Sequence, residues 1–293
     1  MKKLIIGYLF TLLQITLSAQ VRNSYNDEID KWFQQRYTAL KKEDGWLNLV
    51  GLYWLEQGKN TLGTNEQNKL VFPKDFGVPF VGYVELINNN VILEVNKNIP
   101  LKVNGKQLEH PVIFSVDSNI NATVSYKSFH WRVIKREDKI GIRLRNNNAP
   151  LVKNFKSINR FKTDANWRIT ASFQAPLFPS TIPIKNVIGQ TVQMKLLGKL
   201  IFTIGGRIYS LDAVEEGEEL FVIFGDATNS LSTYGAGRFL LVDKPNAEGK
   251  TFIDFNKAYN PPCAFTKFAT CPLPPLQNIL PISVTAGEKK YGH

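Results

Sequence analysis

Between Tyr25 and Lys42 the apolar residues Ile29, Trp32, Phe33, Tyr37 and Leu40 recur at helical spacing, and Asp27, Glu28 and Asp30 crowd the beginning, where the helix dipole favours negative charge. This pattern predicts one amphipathic helix, stopped near Gly45, with its aromatic stripe on a core. After it the pattern becomes strand alternation. Short runs such as GYVELI, VILEV, VIFSV, FHWRVIKR, KIGIRLR, RITASF, TVQMKLL, KLIFTI, RIYSLDAV, ELFVIFG and GRFLLVD, alternating or apolar throughout, predict short β-strands. Between them Asn88 with Asn89, Asn104 with Gly105, Asp138, and Gly205 with Gly206 sit where tight hairpins want positive φ. The expected fold is mainly β: antiparallel β-sandwich or barrel modules with one N-terminal amphipathic helix.

RNNNAP, ending at Pro150, interrupts the strands and marks a soft boundary. The expected organisation is a helix over residues 20–45, a β module over 46–148, and a second β module over 149–293. The last ends in a proline-rich strap from Pro272 onward with a final short strand. Ahead of these, Lys2 and Lys3 precede an apolar run from Leu4 to Leu17, followed by Ser18, Ala19 and Gln20. That is the layout of a secretory signal peptide over residues 1–19, and the run is shorter than the ~20 residues of a membrane-spanning helix. The expectation is an exported protein, periplasmic or extracellular, with no transmembrane segment in the mature chain.

The formal charge of +11 changes the picture little, because Lys and Arg alternate with apolar residues along the strands and are expected on solvated sheet faces. No recognition-helix pattern, zinc-finger spacing or aromatic-glycine RNA motif accompanies it, so nucleic acid is not an expected partner. Cys263 and Cys271 are the only cysteines, and in an exported chain they are expected to form a disulfide. With three histidines, a metal site built on them lacks ligands, and no glycine loop for phosphate appears, so no cofactor is implied.

The densest polar chemistry lies near the C-terminus. FGDATNSLSTYGAGRF places Asp226, Tyr234 and Arg238 on a loop and strand, and TFIDFNKAYNPPCAFTKFATCPLPP adds Asp254, Asn256, Tyr259 and Asn260. Arginine forks onto carboxylate or phosphate, Asn and Tyr read hydroxyls directionally, and the glycines of YGAG let backbone approach a ligand closely. These seven residues are the candidate site for a small polar or anionic ligand. Each also admits a structural reading, with Arg238 paired to Asp226 or Asp254 inside the protein and the asparagines satisfying irregular backbone.

GLYWLEQGKNTLGTNEQNKLVFP, GYVELINNNVILEVN and PLKVNGKQL together resemble the forkhead-associated sandwich, with Gly63, Asn68, Leu70, Val103, Asn104 and Gly105 at the matching places. The chain departs from that family's phosphothreonine pocket, having Thr64 and the stretch Val78 to Tyr83 where the family uses an arginine and a Ser-x-x-His step. Phosphopeptide binding is therefore not carried over. Nearly the whole mature chain resembles the bacterial family known as domain of unknown function 1684, through GWLNLVGLYWLEQGKNTLGT, IGIRLRN, YGAGRF and DFNKAYNPPCAFTKFATCPLPP. This resemblance implies a common fold and a shared site around those residues, and no activity.

Two other classes of function stay open. A hydrolase acting on cell-envelope carbohydrate or ester could use Asp226 and Asp254 as acid and base. Cys263 with His130 would need a free thiol, and no G-x-S-x-G elbow is present. An envelope scaffold without a small ligand would use the N-terminal helix and basic surface, its protein partners unknown.

Overall fold

The aromatic stripe of the N-terminal helix is buried as its periodicity requires: in the helix spanning residues 24–41, Ile29 and Phe33 are shielded from solvent with Tyr25, and Trp32 and Tyr37 pack against them. This computed structural model describes residues 24–292; the leader expected over residues 1–19 lies outside the described residues. The chain forms two units. The first holds the helix up to Ala39, then Ser157–Ala264 and the residues from Thr270 onward; the second holds Leu40–Lys156 with Phe265–Ala269.

The second unit is a sandwich of two six-stranded sheets. One runs in the order Leu49–Trp54, Lys139–Asn146, Phe129–Arg136, Val124–Tyr126, Lys102–Val103, Lys106–Gln107. The other runs Leu70–Val71, Gly58–Gly63, Gly82–Ile87, Asn90–Val95, Val112–Ser115, Ile120–Asn121. Strand alternation gives each sheet one apolar face, and the two faces share a core in which Trp131 and Phe129 meet Phe72 and Phe76. The same alternation turns His130, Arg132, Arg143 and Arg145 to the opposite face of their sheet.

The first unit is built on an eight-stranded sheet with central order Arg238–Val242, Glu219–Asp226, Arg207–Glu216, Thr191–Ile204, Arg168–Gln174, Lys250–Asp254. TVQMKLL and KLIFTI, which read as two strands, are one strand of 14 residues whose register shifts between Leu196 and Gly198. That bulge breaks the alternation and makes one strand look like two. The strand Ile279–Leu280 of the strap pairs parallel with Gly225 and Asp226.

The turn chemistry follows the asparagines and glycines. Asn88, Asn104, Gly105, Gly205 and Gly206 have positive φ, while at the Glu137–Asp138 turn the positive angle belongs to Glu137. The chain is mainly β and largely antiparallel, with one long helix among the described residues. No described helix is long and apolar enough to cross a membrane.

Candidate functional site

The seven polar residues near the C-terminus fall into three buried networks and one loop position. In the first network, the strand pair that places Phe224 opposite Arg238 brings the guanidinium beside Asp226: Arg238 Nη2 donates to Asp226 Oδ2 at 2.8 Å, with both side chains fully buried. Nη2 also donates to Val284 O at 3.0 Å, and Nη1 donates to Ala286 O and Glu288 O. Asp226 Oδ1 accepts from Thr228 N, Thr228 Oγ1 and Val284 N. Burial lowers the Arg238 pKa, and Asp226 opposes that shift. The pair therefore fastens the strap residues Val284–Glu288 to the sheet.

The second network joins Asp254 and Asn256. Asp254 ends its strand and caps the short 3-10 turn Phe255–Lys257 by accepting from Asn256 N. Both its oxygens lie 2.9 Å from the Tyr25 hydroxyl, and Asn256 Nδ2 donates to that hydroxyl, to Asp254 Oδ1 and to Asp164 O. Burial first, then the Asp254 charge, pushes the Tyr25 hydroxyl well above its ordinary pKa.

The third network holds Tyr259 and Asn260. The Arg36 guanidinium stacks 4.4 Å above the Tyr259 ring, and its Nη2 donates to Asn260 O at 2.9 Å. Asn260 N donates to the fully buried Glu288 carboxylate, which also accepts from Arg36, and Asn260 Nδ2 donates to Lys289 O. Burial raises the Tyr259 hydroxyl pKa. Tyr234 stands apart on the glycine loop, half-buried, with its carbonyl accepting from Asn229 Nδ2.

The YGAG glycines do permit close approach, to the protein itself. Gly237 has φ +90°, and a Cβ there would meet Phe224 O at 2.6 Å and the Pro274 ring at 2.4 Å. Asp226 and Asp254 belong to different networks, each with both oxygens hydrogen-bonded. Cys263 and Cys271 form a disulfide. No group of three or more His, Cys, Asp or Glu among the described residues could hold a metal ion.

A different arrangement occupies the outer face of the second unit's first sheet. Register pairs Arg132 with Arg143 and His130 with Arg145 on adjacent strands, so three arginines and a histidine share one surface. Like charges directly opposite one another oppose sheet formation. They line a hollow of about 630 Å³ together with Glu43 and Asp44, which follow the helix. Three of the four have partners. Arg132 Nη2 donates to Asn121 O, Arg145 Nη1 to Gly45 O and to Asn48 Oδ1, and His130 Nε2 to Glu43 O at 3.0 Å.

Arg143 is different. It is only 9% exposed, and its Nε and Nη2 are buried without a hydrogen-bond acceptor. The Trp46 ring lies 5.1 Å from its guanidinium. Burial first, then Arg136 and Arg145, lower its pKa to about 10, so it stays charged at neutral pH.

Sequence reasoning placed such strand arginines on solvated faces; for Arg143 this is corrected, because the segment from Gly45 to Asn48 covers that face. The available signal was the matching parity of His130 and Arg132 with Arg143 and Arg145 in consecutive strands.

Residues 153–289 match the family profile described as a protein of unknown function, DUF1684. The chain belongs to this family. An NMR structure of an uncharacterized protein of Haloarcula marismortui is 30% identical to it, covering 48% of this chain and 80% of that one, with a TM-score of 0.41. No curated protein matches. The DUF1684 match takes in all seven of the C-terminal residues and the disulfide, whereas Tyr25 and Arg36, which complete two of the networks, and Arg143 lie before it.

Proposed function

We propose that this protein is an exported binding protein whose ligand carries an anionic oxygen group, a carboxylate or a phosphate, held by Arg143 in the hollow of the second unit. One observation supports this reading above the others. A buried guanidinium with two nitrogens lacking acceptors is costly, and a planar anion accepting two parallel hydrogen bonds would satisfy them. The disulfide and the leader-like N-terminal sequence support export.

The seven C-terminal residues fit a ligand less well, since their charged groups already have protein partners, with Arg238 Nε alone lacking an acceptor. In this reading they hold the strap in place.

Thermal shift of the mature protein against phosphate, sulfate and a panel of organic acids, at constant ionic strength, tests the proposal. A ligand at a hundred times its dissociation constant adds about 2.7 kcal/mol of stability, a readily measured shift. Stabilisation by a carboxylate or phosphate that disappears in Arg143→Met is the expected result. The proposal fails if Arg143→Met responds like the wild type, or if no anion stabilises the wild type beyond chloride.

A further inference from the structure

The hollow is not uniformly basic. Glu43 and Asp44 line it beside Arg143, and they differ in how they are used. The Glu43 carbonyl accepts from His130 Nε2, and its carboxylate, 3.9 Å from Nδ1, pairs with that ring only when the imidazole is protonated. Asp44 is exposed and forms no ion pair with any described cation, and its charge acts on Arg145 only at a distance.

Arg143 also forms no ion pair among the described residues, so two opposite charges on the walls of one hollow stay more than 4.0 Å apart. Arg143 is fixed in the middle of the strand Lys139–Asn146, while Asp44 belongs to the turn whose next residue, Gly45, accepts from Arg145. An arginine with two donors lacking acceptors and an aspartate without a cation, lining one hollow, are the complement of a molecule that carries both signs.

We infer that the ligand is a small zwitterion, an amino acid or aminoalkyl phosphate, with its anionic group on Arg143 and its ammonium on Asp44. The inference rests on the hollow being the binding site. It makes a prediction opposite in sign to that of a simply basic hollow. Glutarate bears more net negative charge than glutamate, as ethyl phosphate does compared with phosphoethanolamine, so a basic hollow prefers the first member of each pair and a bipolar one the second.

Calorimetric titration of the mature protein with these two matched pairs decides between them. In the wild type, the ammonium-bearing member of at least one pair should bind about tenfold more tightly, the effect of one charge-assisted hydrogen bond. Asp44→Asn, an exposed substitution that leaves the core untouched, should erase that preference yet still bind the plain anion. Arg143→Lys and Arg143→Met should weaken both members, the lysine variant guarding against loss of fold.

Equal or reversed affinities within both pairs, or a preference that survives Asp44→Asn, overturn the zwitterion while leaving anion binding intact. If neither member of either pair binds the wild type, the hollow itself is the wrong site.

Discussion

Arg238 and Asp226 face each other at 2.8 Å with neither side chain exposed to solvent, and the two Nη atoms also donate to the carbonyls of Val284, Ala286 and Glu288, while Nε has no partner. Removing one member of such a pair strands the other charge in the interior. Arg238→Met should therefore cost about 3–5 kcal/mol in urea unfolding, and adding Asp226→Leu should recover most of it. A loss below about 1 kcal/mol for Arg238→Met would mean that the pair does not fasten the strap.

Arg143 predicts the opposite sign. Its buried nitrogens have no acceptor, so Arg143→Met should stabilise the ligand-free protein by about 1 kcal/mol even as it removes anion binding. Thermal unfolding without added anion measures this. A destabilised Arg143→Met would show that the guanidinium supports the fold through its stacking on Trp46.

The pH dependence follows from His130. Burial, the largest influence, lowers its pKa below the ordinary 6.5, with the Glu43 carbonyl and carboxylate opposing and Arg145 adding to the shift. A depressed pKa means that below pH 6.5 the unfolded chain takes up the proton more readily than the folded one. The stability His130 contributes is thus present above that value and is lost as pH falls through the folded pKa. Urea unfolding between neutral and mildly acid pH should show the wild type losing stability relative to His130→Gln; parallel curves would rule this out.

Gly287 has φ +75°, and a Cβ there would lie 2.4 Å from Ala258 O and 2.8 Å from Phe255 O. Backbone on both sides leaves nothing flexible to move. Gly287→Ala should cost at least about 1–3 kcal/mol, read as a lower denaturation midpoint with unchanged slope.

The disulfide gives a chemical test. Alkylation of the unfolded protein without reductant should label neither Cys263 nor Cys271, and reduction should cost about 2–3 kcal/mol for so short a loop. Labelling of both thiols before reduction would refute the bond.

Local patterns were legible where local physics decides them. The Ile29, Phe33 and Leu40 stripe, the alternation in FHWRVIKR and KIGIRLRN, and the Asn-Gly turn at Asn104 each have their cause within a few residues. The polar networks were not legible in the same way. Asp254 finds Tyr25 across 229 positions, and Asn260 is held by Glu288 and Arg36. A dense run of Asp, Asn, Tyr and Arg looks the same in sequence whether its partners are a ligand or distant parts of the chain. Arg143 escaped notice for the reverse reason, since an arginine in an alternating strand looks solvated until the covering segment around Trp46 is placed.

The bond between Arg36 and Glu288 joins residues 252 positions apart and belongs to the first unit, while most of the second unit lies in the sequence between them. On a chain made from its N-terminus, Arg36 must wait for Glu288 long after the sandwich has all its strands. The first unit cannot lock until the last strands have emerged. Such an order makes closure of the first unit a late event, sensitive to any truncation that removes Glu288.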